Sequence, residues 1–301
     1  MISNFNELFK ALRAGSNKRM VAAWGVDDHT ISAASMAIDK GIVDVTLVGD
    51  KDMILAVCKK ENIDPAKFTI IDNKDELKAI AQAVGMVKDG EGDILMKGLC
   101  STDNYMRGIL NKERGLLPPK AVLSHVAVLE NHNYHKLMLI SDMAVIPAPD
   151  FKQKVAICKY LVNTAKCLGI ERPKVAAIAA TEQMLVNMPA CVEAALLAKM
   201  SERGQIPGCI IDGPLAVDVA IDAESVAIKK VKSEVAGDAD CLLFPNIESA
   251  NVFYKVNSKL CKGVRQAAIM VGGTAPCVLS SRADSIDTKL NSIALAALTA
   301  K

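Results

Sequence analysis

Aromatic side chains are scarce in this 301-residue chain, and long apolar runs are missing. Phe, Tyr and Trp make up 4% of the residues whereas hydrophobic residues make up 51%, so the core must be built from Ala, Val, Ile, Leu and Met. That composition is typical of helices that alternate with parallel strands, because such strands are apolar on both faces. No apolar run is as long as a membrane span, so we expect no membrane-spanning helix.

The chain also lacks a strong charge imbalance. Its formal net charge is +2, and no basic patch is interleaved with aromatic residues, which argues against nucleic-acid binding. The nine cysteines form no Cys-x-x-Cys pair, which excludes zinc-ribbon and thioredoxin-like sites and indicates reduced, structural thiols. Residues 1–15 form an amphipathic helical pattern with charges rather than a signal peptide. We therefore expect a cytoplasmic protein.

Short apolar runs alternate with helical patterns along most of the chain. This repeated βα unit predicts the α/β fold class with parallel sheets. Two long strands, 121–130 and 135–146, interrupt the alternation in the middle of the chain. The length is sufficient for two lobes. Because there is no Pro- or Ser-rich linker, the lobes must be joined by short crossovers, near 131–136 and 263–266.

Small and polar residues follow one of the predicted strands, 93–98. Ligands of open α/β sheets bind outside the carboxyl ends of the strands. Lys97 and Gly98 lie at such an end, and Ser101 or Thr102 can cap the next helix, whose free N–H groups can bind an anion. Arg107 lies further along that helix and could face the same ligand. The alternative is a simple strand-to-helix turn.

The densest group of small polar residues precedes the last predicted helix. Gly272 and Gly273 end a strand, and Ser280, Ser281 and Arg282 follow shortly before the helix. An arginine offers bidentate, charge-assisted hydrogen bonds, and a helix N-terminus adds partial positive charge. We interpret these groups as converging on one anion-binding site.

Two aspartates lie at the start of that helix. Asp284 or Ser285 is the predicted N-cap, and Asp284 and Asp287 are three residues apart, so they can share a face near the anion. One can cap the helix while the other serves as a base. A capping role for both is the alternative, and the spacing does not distinguish them.

Ser124 and His125 are neighbours on a predicted strand. Their side chains point to opposite faces, so they cannot form the nucleophile–base pair of a serine hydrolase. A buried core role for His125 is the alternative to ligand contact. His132 and His135 lie in a turn without cysteines or a carboxylate cluster, so no metal site is predicted there.

Taken together, these motifs resemble those of the phosphate acetyl/butyryltransferase family over nearly the whole length. The resemblance is carried by "DILMKGLCSTDNYMRGILNKE", "LSHVAVLE" and "TAPCVLSSRADSIDTKLNSIALAAL", in which Ser-Arg-Ala-Asp-Ser is the most specific part. It implies reversible transfer of a short-chain acyl group, with butyryl favoured, between CoA and inorganic phosphate. The implied mechanism is direct thiolate attack in a ternary complex, without a covalent enzyme intermediate.

The resemblance also implies a fold, an assembly and residue roles. The expected fold has two α/β domains with a cleft between them, similar to isocitrate and isopropylmalate dehydrogenases. We place the domains at 1–134 plus 266–301 and at 135–265. A homodimer or higher homo-oligomer is implied, with CoA and phosphate as substrates and no metal or other cofactor. The catalytic residues implied are Ser281, Arg282 and, as base, Asp287 or Asp284. The expected substrate-binding residues are Lys97, Gly98, Thr102, Arg107, Ser124, His125, Ser280, Gly272 and Gly273.

One departure from the family pattern concerns residues 115–119. Family members commonly read Gly-Leu-Arg-Thr-Gly before the Ser-His strand, whereas this chain reads Gly-Leu-Leu-Pro-Pro and lacks that arginine. Arg114 is a possible replacement. Three other functions stay open: a phosphate acetyltransferase, a noncatalytic acyl-CoA or phosphate-binding protein, and an NAD-dependent decarboxylating dehydrogenase. The last would need a metal-binding aspartate cluster and a Gly-rich dinucleotide loop, neither of which is evident.

Overall fold

The structure is a computed structural model that describes residues 1–279 and 284–301. The chain divides into two compact units. The terminal unit comprises Phe5–Leu123 and Gln266–Lys301, and the middle unit comprises Met1–Asn4 and Ser124–Arg265. The division expected after residue 134 differs from this one. The strand Ser124–Glu130 groups with the residues that follow it because it pairs with Met138–Ser141 in an antiparallel ladder.

Helices and strands alternate along the described part of the chain, as the sequence predicts. The strands are β1 (Lys18–Ala23), β2 (Val43–Gly49), β3 (Thr69–Asp72), β4 (Ile94–Lys97), β5 (Ser124–Glu130), β6 (Met138–Ser141), β7 (Lys174–Ile178), β8 (Ile210–Leu215), β9 (Cys241–Leu243), β10 (Arg265–Val271) and β11 (Cys277–Val278). The helices are α1 (Phe5–Leu12), α2 (Asp28–Asp39), α3 (Lys51–Lys60), α4 (Glu76–Lys88), α5 (Thr102–Ile109), α6 (Phe151–Cys167), α7 (Pro189–Glu202), α8 (Val217–Ile221), α9 (Ala223–Lys229), α10 (Ile247–Lys259) and α11 (Ile286–Thr299). The α/β fold class is therefore confirmed.

The strands of the terminal unit lie in the order β3-β2-β1-β4-β11-β10. The first five are parallel, and β10 runs antiparallel to β11. Ala23 pairs in register with Lys97, and Met96 pairs with Val278. The carboxyl ends of β1, β4 and β11 therefore lie together at one edge of this sheet, where open α/β sheets bind ligands.

Four helices that follow strands at this edge begin with a side-chain cap. Asp27 caps α2, Asp50 caps α3, Asp75 caps α4 and Ser101 caps α5. In each case a side-chain oxygen accepts a hydrogen bond from a backbone N–H of the first turn, a group that has no partner within the helix itself. The caps fix where each connection turns back from the sheet.

Helix α11 is the most deeply buried helix of the terminal unit. Residues 288–297 are all buried, and the helix packs against α1, α2, β4 and β11. A run of small apolar residues, "ALAAL", allows this close packing on several sides. Ser285 is the N-cap, with its side chain accepting from the backbone N–H of Thr288. A charged residue within 288–297 is therefore held in a largely apolar environment.

The middle unit has the strand order β5-β6-β9-β7-β8. Strand β5 is antiparallel to β6, and the others are parallel. Helix α6 packs on β5, β6 and β9, and α7 packs on β7 and β8. No described helix in either unit combines the length and the apolar character that crossing a membrane requires.

Strand β6 is shorter than predicted. The sequence indicated a strand over 135–146, but β6 ends at Ser141. The buried carboxylate of Asp142 accepts hydrogen bonds from the backbone N–H groups of Ala144, Val145 and Ile146 at 2.9, 2.9 and 3.2 Å. These bonds hold the backbone in a turn, which competes with the extended ladder.

Candidate active site

A cavity of about 180 Å³ lies at the carboxyl edge of the terminal-unit sheet. Two connections and one helix line it: the β1–α2 turn, the β4–α5 turn and the first turns of α11. The lining residues are Asp27, Asp28, His29, Lys97, Gly98, Leu99 and Lys289. The group contains two ammonium groups, two carboxylates and an imidazole, so it can bind a polar, charged ligand.

The two turns that line the cavity are joined through their backbones. Gly98 donates its N–H to the carbonyl of Ala23 at 3.0 Å, and Leu99 donates to the carbonyl of Trp24 at 2.9 Å. A Cβ atom on Gly98 would lie 2.1 Å from the Trp24 carbonyl oxygen, so a larger residue cannot occupy this position unchanged. Trp24 itself has a φ of 54°, a conformation that is uncommon for a bulky side chain. Gly98 thus shapes the cavity wall by allowing this close approach.

Lys97 is the last residue of β4, and only 4% of it is exposed. Its ammonium group donates to the Gly98 carbonyl at 3.2 Å. Nearby, Cys100 is fully buried, and burial raises the pKa of its thiol to about 11. This cysteine is therefore protonated at neutral pH and unsuited to act as a nucleophile, since the thiolate is the reactive form.

The first turn of α2 is occupied by its own acidic side chains. Asp27 Oδ1 accepts from the backbone N–H of Thr30 at 2.9 Å, and Asp28 Oδ1 accepts from that of His29 at 2.8 Å. Asp28 also forms a 3.1 Å ion pair with Lys60. His29 Nδ1 lies 3.2 Å from the Asp284 carbonyl oxygen. Because a carbonyl only accepts, Nδ1 must carry the proton in that hydrogen bond.

Lys289 is a buried cation on the first turns of α11. It is 4% exposed and lines the cavity. Burial lowers the pKa of its ammonium group, while the negative charges of Asp27 and Asp284 act in the opposite direction. The other oxygen of Asp27, Oδ2, is buried and accepts no hydrogen bond from the described residues. Lys289, Asp27 and Asp284 thus form a charged cluster beside the cavity.

The structure separates the two candidate bases. Asp284 is 6% exposed, its carbonyl contacts His29, and its charge acts on Lys289. Asp287 is exposed on the first turn of α11. It precedes Lys289 by two residues, which corresponds to about 200° around a helix, so it lies on nearly the opposite face. Neither aspartate caps α11, because Ser285 does.

The residues predicted to carry the chemistry, Ser280, Ser281 and Arg282, lie outside the described residues. The described residues on either side of them are Leu279, which directly follows β11, and Asp284, whose carbonyl contacts His29. Strand β11 is parallel to β4, so Leu279 leaves the sheet at the same edge as Lys97.

Gly272 and Gly273 do not lie at this edge, and their predicted contact with substrate stays a prediction. Strand β10 is antiparallel to β11, and Met270 pairs with Cys277 at the start of β11. The glycine pair therefore lies beyond the amino end of β11, at the edge of the sheet opposite Lys97. Its turn is held by a hydrogen bond from the Thr274 N–H to the Leu116 carbonyl at 2.8 Å.

The remaining predictions in the terminal unit concern α5 and the missing arginine. Thr102 is the exposed first residue of α5, after the cap Ser101, and Arg107 is exposed in the last turn of that helix. Neither is among the residues that line the cavity. Arg114 bonds to Asp89, the C-cap of α4, at 2.5 Å. That contact lies near the amino end of β4, and whether Arg114 replaces the missing arginine stays a prediction.

Ser124 and His125 belong to the middle unit, and both are buried on β5. The Ser124 hydroxyl donates to Asp142 Oδ2 at 3.0 Å. His125 Nδ1 lies 2.7 Å from the sulfur of Met143. Both side chains thus bind residues of the loop that follows β6. Their predicted contact with substrate stays a prediction.

Sequence reasoning missed five members of the cavity lining, namely Asp27, Asp28, His29, Leu99 and Lys289. A signal for Lys289 was present. Ile286, Lys289 and Ile293 recur at helical spacing, so the lysine shares the apolar face of α11. A lysine on such a face must be buried, and buried lysines need a charged partner or a ligand. Among the described residues, no cluster of three or more His, Cys, Asp or Glu side chains could hold a metal ion.

Comparison with known proteins places this chain in a family. A family model described as phosphate acetyl/butaryl transferase matches residues 3–79 and 74–297. The chain belongs to the phosphate acetyl/butaryl transferase family. It is 45% identical over 300 residues to phosphate butyryltransferase from Clostridium beijerinckii, covering 100% of this chain and 99% of that protein. It is also 38% identical over 296 residues to phosphate acetyltransferase from Thermotoga maritima, covering 98% and 100%. The resemblance seen in the sequence is confirmed.

Solved structures agree with this family membership. A branched-chain phosphotransacylase from Enterococcus faecalis V583 superposes with a TM-score of 0.82 at 28% identity, covering 94% of this chain and 98% of that one. A 4-hydroxythreonine-4-phosphate dehydrogenase from Klebsiella pneumoniae superposes with a TM-score of 0.59 at 10% identity, covering 95% and 100%. The second likeness concerns the fold alone, and it confirms the predicted similarity to dehydrogenase-like α/β domains.

Proposed function

We propose that this chain is an acyltransferase that moves a short-chain acyl group, preferably butyryl, reversibly between CoA and inorganic phosphate. The observation that carries the proposal is the 45% identity over the whole chain to the phosphate butyryltransferase of Clostridium beijerinckii. The terminal-unit cavity supports it independently, because Lys97 and Lys289 supply buried positive charge at the edge of the sheet where α/β proteins bind ligands.

The reaction requires that phosphate and acyl-CoA be held together. A phosphate oxygen bonds to the acyl carbon while the bond from that carbon to the CoA sulfur breaks. Negative charge grows on the thioester oxygen in the transition state, and donors that point at this oxygen stabilise it. We assign that role to Ser281 and the binding of phosphate to Arg282, since a guanidinium fits phosphate with two parallel hydrogen bonds. Both assignments come from the family resemblance.

The leaving CoA thiolate must gain a proton, and phosphate must lose one. In the reverse direction a base removes the proton from the CoA thiol. We assign the base to Asp284 rather than Asp287, because the Asp284 backbone carbonyl contacts His29 of the cavity wall and its charge acts on Lys289, whereas Asp287 is exposed.

The same reaction with acetyl-CoA is a second candidate, supported by the 38% identity to phosphate acetyltransferase from Thermotoga maritima. The two candidates differ only in the acyl group that fits best. We further propose that the enzyme works in the cytoplasm as a homodimer or higher homo-oligomer and uses no cofactor beyond its substrates, CoA and phosphate. The assembly and the lack of a further cofactor follow from the family resemblance.

The test is a thiol-release assay on the full-length protein. Acetyl-, propionyl- and butyryl-CoA are compared as substrates with and without inorganic phosphate. The molar mass of the protein in solution is measured separately and gives its oligomeric state. The proposal predicts release that depends on phosphate and has the highest kcat/KM for butyryl-CoA. The highest kcat/KM for acetyl-CoA would support the second candidate. Release at the same rate without phosphate would contradict both candidates. Binding of acyl-CoA without any turnover would support a noncatalytic role.

A further inference from the structure

A side-chain hydrogen bond joins the start of α2 to the residue that precedes the cap of α11. His29 Nδ1 lies 3.2 Å from the backbone carbonyl oxygen of Asp284, and the two residues are 255 positions apart in the chain. Because a carbonyl oxygen only accepts, the imidazole is the donor. Helices α2 and α11 also pack against each other, so the donor and the acceptor belong to adjoining elements.

The accepting carbonyl lies just outside the hydrogen-bond ladder of α11. Ser285 is the N-cap, and its side chain accepts from the backbone N–H of Thr288. The Ser285 carbonyl accepts from the backbone N–H of Lys289 at 3.1 Å, as the carbonyl of an N-cap residue does. The ladder of α11 therefore begins one residue after Asp284. The hydrogen bond from His29 acts on a peptide group that the helix itself does not hold.

The donor is held by the capped first turn of its own helix. His29 is the second residue of α2, and its backbone N–H donates to Asp28 Oδ1 at 2.8 Å. The backbone N–H of Thr30 donates to the cap Asp27 at 2.9 Å. These bonds fix the backbone that carries the imidazole. A donor on a fixed turn can hold a residue at the entry of a second helix.

We propose that His29 is a positioning residue, whose Nδ1–H holds the backbone of Asp284 so that the Asp284 carboxylate reaches the CoA thiol. This inference rests on the proposed function and on Asp284 as the base. A general base works at about 2.6–3.2 Å from the group that it deprotonates. A displacement of about 1 Å can cost about 100-fold in rate. In this role His29 exchanges no proton with the substrate.

Two amide variants distinguish this role from direct contact between His29 and the substrate, since His29 also lines the cavity. The side-chain nitrogen of asparagine is bonded to Cγ, as is Nδ1 of histidine, so His29→Asn can keep the hydrogen bond to Asp284. Glutamine carries its amide one carbon further out, near the place of Nε2. Positioning through Nδ1 therefore predicts that asparagine preserves activity better than glutamine, and contact through Nε2 predicts the reverse.

Initial rates are measured with CoA and butyryl phosphate, the direction in which the base removes the thiol proton. His29→Phe, which keeps a ring without a donor, should lower kcat by about 10- to 100-fold. Each KM should stay within about threefold, because no substrate contact is removed. His29→Asn should keep kcat within about fivefold of the wild type, and His29→Gln should resemble His29→Phe. His132→Phe, the same change at an exposed histidine of the middle unit, is the matched control and should resemble the wild type.

Two further measurements separate positioning from a general loss of structure. In an Asp284→Asn background, His29→Phe should lower kcat by less than about threefold more, because the residue that it positions no longer accepts a proton. Hydrogen exchange of the backbone N–H groups of 285–292 needs no turnover. It should be faster in His29→Phe and close to the wild type in His29→Asn. If His29→Phe does not fold, His29→Leu is measured in the same way.

Three results would overturn the inference. One is a kcat that glutamine preserves and asparagine does not. Another is a loss from His29→Phe that is equally large with and without Asp284. The third is unchanged exchange of 285–292 in His29→Phe. A wild-type protein that forms no butyryl-CoA from CoA and butyryl phosphate would contradict the proposed function instead, and the exchange measurement would still decide whether His29 holds the start of α11.

Discussion

At the scale of single residues, the assignment of the base depends on the difference between Asp284 and Asp287. Asp284→Asn should lower kcat by about 100- to 10,000-fold, because the amide cannot accept the thiol proton. Asp287→Asn serves as the matched control and should keep kcat within about threefold, since its exposed side chain points away from Lys289. Circular dichroism confirms folding. A large loss in Asp287→Asn with little change in Asp284→Asn would contradict the assignment.

Lys289 also affects stability in a direction that can be measured. Its folded pKa is lower than its ordinary value of 10.5, so the unfolded chain binds more protons between the two values. The cost of the buried charge is therefore fully present below the folded pKa and decreases as pH rises through that value towards 10.5. The stability of the wild type relative to Lys289→Met should therefore rise between pH 7 and pH 10. Urea unfolding at both values checks this sign. A variant that is much less stable at pH 7 would indicate a structural role for the lysine.

The thiol near the cavity should be unreactive. With a pKa of about 11, Cys100 is ionised to only about one part in a thousand at pH 8. Iodoacetamide should leave activity unchanged and should label Cys167, which is exposed. Mass spectrometry of the labelled chain gives the comparison. Loss of activity in step with labelling of Cys100 would be inconsistent with this geometry.

At the scale of elements, the contact between the β1–α2 and β4–α5 turns controls the shape of the cavity. Gly98→Ala places a Cβ 2.1 Å from the Trp24 carbonyl oxygen, and backbone must move to relieve the clash. We expect a loss of about 1–3 kcal/mol in the free energy of unfolding, with reduced phosphate affinity. Gly15→Ala is the control, because its nearest neighbour, the Leu12 carbonyl oxygen, is 3.6 Å away. Equal stability of the two variants in urea unfolding would show that the turns adapt freely.

The sequence predicted most helices and strands, because hydrophobic periodicity is a local property. It did not predict β11, since two residues after Pro276 carry no periodic signal. It also extended β6 to residue 146, because the hydrogen bonds of Asp142 to three backbone N–H groups are not visible as a pattern. The missing strand also affected the prediction of the site. Without β11, the antiparallel turn that carries Gly272 and Gly273 away from Lys97 could not be foreseen.

At the scale of the whole molecule, Asp238 links folding to pH. Burial raises the pKa of this carboxyl group, but hydrogen bonds from Lys136, Lys174 and His135 lower it more, well below its ordinary value of 3.8. The stabilisation is fully present above pH 3.8 and is lost as pH falls through the folded pKa. Its size is modest, because 41% of the side chain is exposed.

We therefore expect Asp238→Asn to be less stable than the wild type at pH 7 and to unfold at a higher pH during acid titration. Asp44→Asn, a change at an exposed carboxylate that contacts Asn17, is the control. The measurement is the midpoint of urea unfolding between pH 7 and pH 3. A constant difference between Asp238→Asn and the wild type down to pH 3 would show that the ion pairs do not carry the effect.

The site shows where sequence reasoning reaches its limit. Motifs placed Lys97 and Gly98 at the carboxyl edge because they lie where a strand ends. Lys289 and Asp27 are 262 positions apart in numbering, and only the packing of α11 against α2 brings their charges together. Such long-range proximity has no local signature in one sequence. The family resemblance, in contrast, rests on short motifs, and comparison with full-length relatives confirmed it.

The central claim is acyl transfer to phosphate, and product stoichiometry tests it most directly. Full-length protein is incubated with butyryl-CoA and isotopically labelled inorganic phosphate, and free CoA and labelled butyryl phosphate are measured over time. The account predicts that both products appear in equal amounts and that neither appears without phosphate. Free CoA accompanied by butyrate, with no label in an acyl phosphate, would show hydrolysis and contradict the account.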